Sequence, residues 1–247
     1  MTSVVRIAAV GDVHVGLDTG PVLGPPEQLA ESADLLLLVG DLTRRGTPAE
    51  AEVLAAELRQ MSLPVIAILG NHDYESDAAD DVRDIITGAG ATVLDGDAAT
   101  LEVGDVSVGV AGTPGFGGGF QGASCSEFGE PLMKAFVAHT RAMASALCRA
   151  LTELDTDVRV AMTHYSPIEA TLVGERLEIY PFLGSYLLAE AIDTGGAHLA
   201  VHGHAHRGSR AGETVCGVPV RNVAQPLLGR PYTTLRLSTD GLTDGHA

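Results

Sequence analysis

Three short apolar runs constrain this chain more than any other feature: VVRIAAVGD (Val4–Asp12), LLLLVGD (Leu35–Asp41) and VIAILGNHD (Val65–Asp73). Each is rich in strand-forming residues and stops at a glycine followed by a polar, ligand-type side chain. Continuous apolar runs of this length describe strands covered on both faces, and the carboxyl ends of such strands are where open α/β sheets put their sites. Helices are expected in the gaps. Thr47-Pro48-Ala49-Glu50 is a capping box with proline at the first helical position, and AEVLAAELRQM continues it with a helical apolar stripe. A shorter helix is expected from Asp77 to about Gly88. After Gly90 the pattern changes. TVLDGDAATLEVGDVSVGVAG (Thr92–Gly112) reads as strands joined by Gly-Asp turns, and Leu132–Leu154 is the longest helical pattern. DVRVAMTH (Asp157–His164) and AHLAVHGH (Ala197–His204) are strands ending at histidine, and VPVRNVA and YTTLRLS close the chain as strands. A β-α-β first half and a strand-rich second half imply two sheets packed face to face with helices outside. We expect one α/β domain over residues 1–247, a length that supports a full core.

The charge balance narrows the partners. With 15 Lys+Arg against 32 Asp+Glu, the net charge is −17, and the chain lacks the basic footprint that nucleic-acid binding uses to release counterions. A small anion remains compatible, because screening confines the repulsion to about 8–10 Å and bound divalent cations reverse the sign locally. No apolar run approaches the roughly 20 residues of a membrane span. MTSVVRIAAVGDVH reads as a first strand rather than a signal peptide. Cys125, Cys148 and Cys216 are widely spaced, so a reducing cytoplasm is the expected location and each cysteine a small core or loop residue rather than a nucleophile.

The run VHGHAHRG (Val201–Gly208) holds three of the nine histidines in five residues. On a continuing strand His202, His204 and His206 would share a face, whereas a sharp turn at Gly203 would align only the last two. Four more polar clusters lie at expected strand ends: GDVH (Gly11–His14), GDLTRRG (Gly40–Gly46), GNHD (Gly70–Asp73) and THYSP (Thr163–Pro167). Together they supply Asp12, His14, Asp41, Asn71, His164, His204 and His206. This mix of carboxylate, amide and imidazole without thiolate suits Mn²⁺, Fe²⁺/Fe³⁺ or Zn²⁺ and disfavours a cysteine-type structural zinc site. Seven ligands exceed one tetrahedral ion but suit two ions sharing a carboxylate.

The ordered series GD-x-H, GD, GNHD, H and GH-x-H resembles the calcineurin-like metallophosphoesterase superfamily, and within it the class III cyclic-nucleotide-phosphodiesterase-like branch. The resemblance runs from Gly11 to His206. It implies a four-layer αββα sandwich, two mixed sheets flanked by helices, with a two-metal centre at the strand ends. By motif, Asp12, His14 and His206 would hold one ion and Asn71, His164 and His204 the other, with Asp41 bridging. His72 matches the non-ligand histidine beside the leaving group. His202 matches no ligand, and a packed or hydrogen-bonded place behind the site is expected for it. The implied reaction is hydrolysis of a small phosphodiester or phosphomonoester, a 3′,5′-cyclic nucleotide first among them, by a hydroxide bridging the two ions.

Two departures bear on this resemblance. The protein Ser/Thr phosphatase branch carries an Asp three residues after the second-motif ligand, supporting the catalytic histidine. Arg44 stands there instead, which leaves Asp73 as a candidate partner for His72. Arg45 aligns with that branch's phosphate-contacting arginine and is a candidate substrate contact. Specificity is expected from GTPGFGGGFQGASCSEFGEP (Gly112–Pro131) and from Tyr165–Tyr186; core packing is the expected role for any single Tyr or Phe of the latter, with stacking on a base or packing a homodimer interface as the alternatives. A nuclease and a non-catalytic scaffold on the same fold are the alternatives. The acidic charge opposes the first, and the complete ligand set opposes the second.

Overall fold

The computed structural model describes residues 4–243. Its first sheet runs in the order β14 (Gly241–Thr243), β13 (Thr233–Ser238), β1 (Val5–Val10), β2 (Leu35–Val39), β3 (Val65–Ile68), β4 (Ala91–Leu94). β1 to β4 are parallel, and β13 and β14 add antiparallel at one edge. The second sheet runs β11 (Ala211–Glu213), β12 (Pro219–Asn222), β10 (Leu199–His202), β9 (Val158–Thr163), β6 (Val106–Thr113), β5 (Asp97–Val103). Its four central strands are parallel and its two edge strands antiparallel. A two-stranded ribbon, β7 (Gly119–Phe120) and β8 (Ala123–Ser124), follows β6.

Side-chain alternation explains the layering. In LLLLV of β2 every residue is buried, as the uninterrupted apolar run requires. Leu35, Leu37 and Val39 join β1 and β3 residues against Val108, Val110, Val160, Met162 and Val201 of the second sheet. Leu36 and Leu38 face the other way, into α1 (Pro26–Ser32), α2 (Pro48–Leu58) and α3 (Ala79–Gly88). The outer face of the second sheet, through Ala111, Ala161 and Ala200, packs on α4 (Pro131–Glu153) and α6 (Tyr186–Gly195), with the short α5 (Tyr180–Leu183) before α6 and α7 (Gln225–Leu228) near the end. The order is helix, sheet, sheet, helix: the αββα sandwich of two mixed sheets expected from the sequence.

The helix starts follow the sequence signals. Thr47 Oγ1 accepts from the Glu50 amide at 3.3 Å and Glu50 Oε2 accepts from the Thr47 amide at 3.4 Å, the reciprocal capping box, with Pro48 opening α2. The same Glu50 oxygen accepts from the Arg45 amide at 2.9 Å, so α2's first turn also anchors the loop that follows β2. Among the described residues no helix is long and apolar enough to cross a membrane.

Candidate metal centre

The parallel strands β1, β2, β3, β9 and β10 all end at the same edge of the sandwich, and their following loops interlock there. The Asp12 amide donates to Gly40 O and the His14 amide to Asp41 O, while Gly11 exchanges backbone hydrogen bonds with Val223 and Gln225 beside the second sheet. Gly203 approaches so closely that a Cβ there would overlap Asp12 Oδ2, and a Cβ at Gly70 would overlap Asp41. Both glycines are therefore required by contact.

Two donor groups result. One ligand atom each from Asp12, His14, Asp41 and His206 falls within a sphere of mutual distances under 4.8 Å, and so does one each from Asp41, His164 and His204. Asp41 belongs to both. His206 Nε2 lies 2.9 Å from Asp12 Oδ1 and 3.4 Å from His14 Nε2, and His14 Nε2 lies 3.8 Å from Asp41 Oδ2. On the other side His164 Nε2 is 3.3 Å from Asp41 Oδ1 and 3.1 Å from Asn71 Oδ1. All seven residues expected to converge are thus brought to one place.

The backbone is committed to this arrangement. Among the described residues five non-glycine residues have positive φ: Asp12 (57°), His14 (44°), Asp41 (50°), His204 (68°) and Asp77 (54°). Four of the five are candidate ligands. The left-handed region costs an L-residue roughly 1–2 kcal/mol, so its concentration here marks side chains aimed against local preference.

In His164 and His204 the second nitrogen fixes which one faces inward. His164 Nδ1 donates to Val39 O at 3.0 Å, which turns Nε2 toward Asp41 and Asn71. His204 Nε2 donates to Phe182 O at 3.3 Å, leaving Nδ1 for the cluster. Carbonyl-anchored imidazoles of this kind are pre-set for coordination. Burial also lowers the pKa of His14 and brings that of His204 to about 4, so both are neutral donors at neutral pH. For His164 burial acts the same way, but the Asp41 carboxylate outweighs it and raises the pKa to about 9; His206 is raised chiefly by its hydrogen bond to Asp12. A cation bound here would displace the proton that Asp41 holds on His164 Nε2. With thiolates absent, carboxylates buried and nitrogen and oxygen donors converging, the donor set fits borderline or hard divalent cations.

The sequence left the partner of His72 open, with Asp73 as a candidate. The structure corrects this: His72 Nδ1 donates to the Arg44 backbone carbonyl at 2.8 Å, with Glu75 Oε2 at 3.7 Å. The Arg44 side chain turns away to Asp18 and Thr19, at 2.8 and 3.2 Å. The main chain at position 44 thus provides an acceptor that its side chain does not. His72 packs edge-on against His14, ring centroids 4.6 Å apart. Asp73 is instead fully buried and clamps two loops. It accepts from the amides of Gly70 (2.8 Å), Leu42 (3.1 Å) and Thr43 (2.8 Å) and from Thr43 Oγ1 (2.6 Å). Burial, helped by the Asp41 charge, raises its pKa to about 6. Arg45 stands exposed, and among the described residues its guanidinium makes no hydrogen bond or ion pair; its carbonyl accepts from Ser76 Oγ at 2.6 Å.

His202 does not face the cluster, because the chain turns at Gly203. Its Nδ1 donates to Gly203 O at 2.7 Å and its Nε2 meets Thr171 Oγ1 at 2.8 Å, with Ser166 Oγ at 3.4 Å. Another residue without a distinguishing sequence signal, Asn222, donates to Ala205 O at 2.8 Å and pins the same turn. Burial lowers the His202 pKa to about 4. A histidine whose folded pKa lies below its unfolded value of about 6.5 binds fewer protons when folded, so its stability contribution is complete above pH 6.5 and is lost as the pH falls toward 4. The loss amounts to about 3 kcal/mol. In chelator, the melting temperature should fall further between pH 7 and pH 4.5 for the wild type than for His202→Gln; parallel falls would contradict the assignment.

A family model for calcineurin-like phosphoesterases matches residues 5–208. A curated protein of Synechococcus sp. named a probable cyclic nucleotide phosphodiesterase is 52% identical over 80 residues, covering 27% of this chain and 31% of that relative. The matched stretch therefore spans about a third of the relative's length. Among solved structures, phosphopantetheinyl hydrolase of Mycobacterium tuberculosis superposes with a TM-score of 0.63 at 18% identity over 89% of this chain and 88% of that one. The TT1561 protein of Thermus thermophilus gives 0.60 at 15% identity over 99% of each chain. At these identities the two structures share the fold.

Proposed function

Because this chain belongs to the calcineurin-like phosphoesterase family and is a hydrolase acting on phosphoric esters, we propose that residues 1–247 act as one domain that hydrolyses a small phosphodiester or phosphomonoester, a 3′,5′-cyclic nucleotide first among them. The observation that carries this reading is the pair of donor groups meeting at Asp41. Asp12, His14 and His206 would hold one divalent cation and Asn71, His164 and His204 the other, with Asp41 between them; Mn²⁺, iron and Zn²⁺ all match the donors. Such cations, when bound, supply Lewis acidity that lowers the pKa of water from about 15.7 toward 7 and neutralises charge on phosphate oxygens. The name of the Synechococcus relative supports the cyclic-nucleotide assignment. The cysteines Cys125, Cys148 and Cys216 are free thiols, which accords with the reducing cytoplasm we propose as its location.

The chain's own residues have separate tasks. Asp12 and Asp41 concentrate negative charge in a buried place and so select a cationic occupant. Val39 O and Phe182 O accept from His164 Nδ1 and His204 Nε2 and so orient His164 Nε2 and His204 Nδ1 inward. His72, with Nδ1–H committed to Arg44 O, keeps Nε2 available to place a proton on a departing oxygen. Arg45, exposed on the same loop, is the proposed contact to a non-reacting phosphate oxygen.

The experiment is hydrolysis with Mn²⁺, iron or Zn²⁺ of cyclic nucleotides, nucleotide monoesters and a bis-aryl phosphate. His72→Ala should lower kcat on alkyl esters by about 10²- to 10⁴-fold, the usual span of proton-transfer catalysis, and much less on nitrophenyl esters, whose leaving group needs no proton. Equal losses on both would remove the proton-donor role. No hydrolysis of any ester with any metal would favour a binding scaffold.

A further inference from the structure

Beside the cluster lies a cavity of about 390 Å³, a size typical of small-molecule sites. Among the described residues its lining carries one carboxylate, Asp95, and no Lys or Arg. An esterified phosphate has no counter-charge there, so the cavity suits the uncharged part of an ester. Its walls are aromatic. The chain has only five Phe, five Tyr and no Trp, yet Tyr74, Phe116 and Tyr165 all line this one cavity. Phe116 is held between Tyr165, ring centroids 5.7 Å apart, and His139, 4.7 Å apart and edge-on, with Phe136 at 4.9 Å.

Its position ties it to the cluster. Asn71, whose Oδ1 lies 3.1 Å from His164 Nε2, lines the cavity, and the Tyr165 ring lies 4.4 Å from the ring of His204. The wall is also fixed in place. Pro114 O accepts from the His164 amide at 2.9 Å and the Tyr165 amide at 3.1 Å, which ties the start of the glycine-rich segment to the strand end that carries His164. Asp95 accepts from Arg83 Nη2 at 2.9 Å, and Arg83 does not line the cavity.

We propose that this cavity receives the nucleobase of a nucleotide substrate, stacked on Phe116 and Tyr165, with Asp95 accepting from an amino group on the ring. The proposal rests on hydrolysis taking place at the adjoining cluster, and it assigns Phe116 and Asp95 as specificity-determining residues that the motif series does not contain. A planar heteroaromatic ring is the occupant that matches aromatic walls, and a base–aromatic stack is favourable for every base, so the carboxylate must provide the choice among them. A 6-aminopurine donates to Asp95 where a 6-oxopurine presents an acceptor.

The test uses the metal-loaded full chain with three substrates: adenosine 3′,5′-cyclic monophosphate, its inosine counterpart and the base-free ester glycerol phosphate. Phe116→Ala should raise KM for the adenosine ester by roughly tenfold, the loss expected for one stacking partner, with kcat within about twofold and the base-free ester unaffected. Phe116→Tyr should restore the wild-type KM. Asp95→Asn should reduce the preference for adenosine over inosine by roughly tenfold. A Phe116→Ala loss shared equally by the base-free ester, or no loss at all, would overturn the proposal. Equilibrium dialysis of adenosine against the metal-free protein separates this result from the reaction itself. Adenosine retained by the wild type and lost by Phe116→Ala supports the pocket even if no ester is cleaved. Adenosine not retained while esters are cleaved overturns the pocket alone.

Discussion

Asp41→Asn is expected to lower hydrolysis of every ester substrate by at least about a thousandfold, equivalent to the several kcal/mol that charge stabilisation by a metal pair provides, and to reduce bound manganese below two ions per chain. The carboxylate belongs to both donor groups, is almost completely buried and sits on a backbone with φ of 50°. Burial opposes its charge, yet His164 and the His72 amide, which donates to Oδ1 at 2.8 Å, hold it well below the usual carboxylate range. Asparagine preserves the shape and removes the charge that both groups share. It also replaces one acceptor oxygen with an NH₂ that can ligate neither ion. Titration calorimetry with Mn²⁺, alongside steady-state kinetics, checks the expectation. Two bound ions and unchanged turnover in the variant would remove Asp41 from the centre, and with it the proposed function.

Asp73→Ala is expected to destabilise the protein by about 3–4 kcal/mol and to weaken manganese binding by about 10- to 100-fold, although Asp73 is not a candidate ligand. Its carboxylate collects four hydrogen bonds from Gly70, Leu42 and Thr43. Each buried donor left without a partner costs about 1–3 kcal/mol, offset in part because a buried charge is removed as well. At about 2–4 °C per kcal/mol for a chain of this size, the melting temperature should fall by about 10 °C. The metal effect follows from geometry: Leu42 and Thr43 carry the loop after Asp41, and Gly70 precedes Asn71. The affinity loss is the range seen when residues that orient ligands are removed. Asp73→Asn separates the two consequences, since it keeps the volume but points an NH₂ at groups that are themselves donors. Melting curves and Mn²⁺ titration below the transition read both, and unchanged affinity in both variants would show that the clamp does not position the ligands.

The parts of the site that were legible in the sequence are those written locally. The glycine-plus-ligand endings of β1, β2 and β3 lie on the runs that form the strands, and the alternation of β10 stops at Gly203, so the strand ends and their side chains could be read together. What was not legible depends on residues far apart in sequence. The Arg44 carbonyl that anchors His72 is a main-chain atom, invisible to residue identity, and the arginine side chain at that position left the support of His72 open. Asp73 could be noticed beside Asn71 and His72, but the Thr43 and Leu42 groups it binds lie some thirty positions earlier, so it read as a partner for His72. The cavity beside the cluster gathers positions 71, 95, 116, 139 and 165 from five separate segments, and no periodicity links them. The positive-φ residues are likewise Asp and His, which carry no sequence mark of a left-handed backbone as glycine would.

The seven candidate ligands divide between the two halves of the sandwich. Asp12, His14, Asp41 and Asn71 follow strands of the first sheet, whereas His164, His204 and His206 follow strands of the second. A cation pair seated among them would rivet one sheet to the other at an edge already crossed by the contacts of His164 with Val39 and of His206 with Asp12. Loss of ions at one strand end should therefore loosen the seam between the halves before either half comes apart.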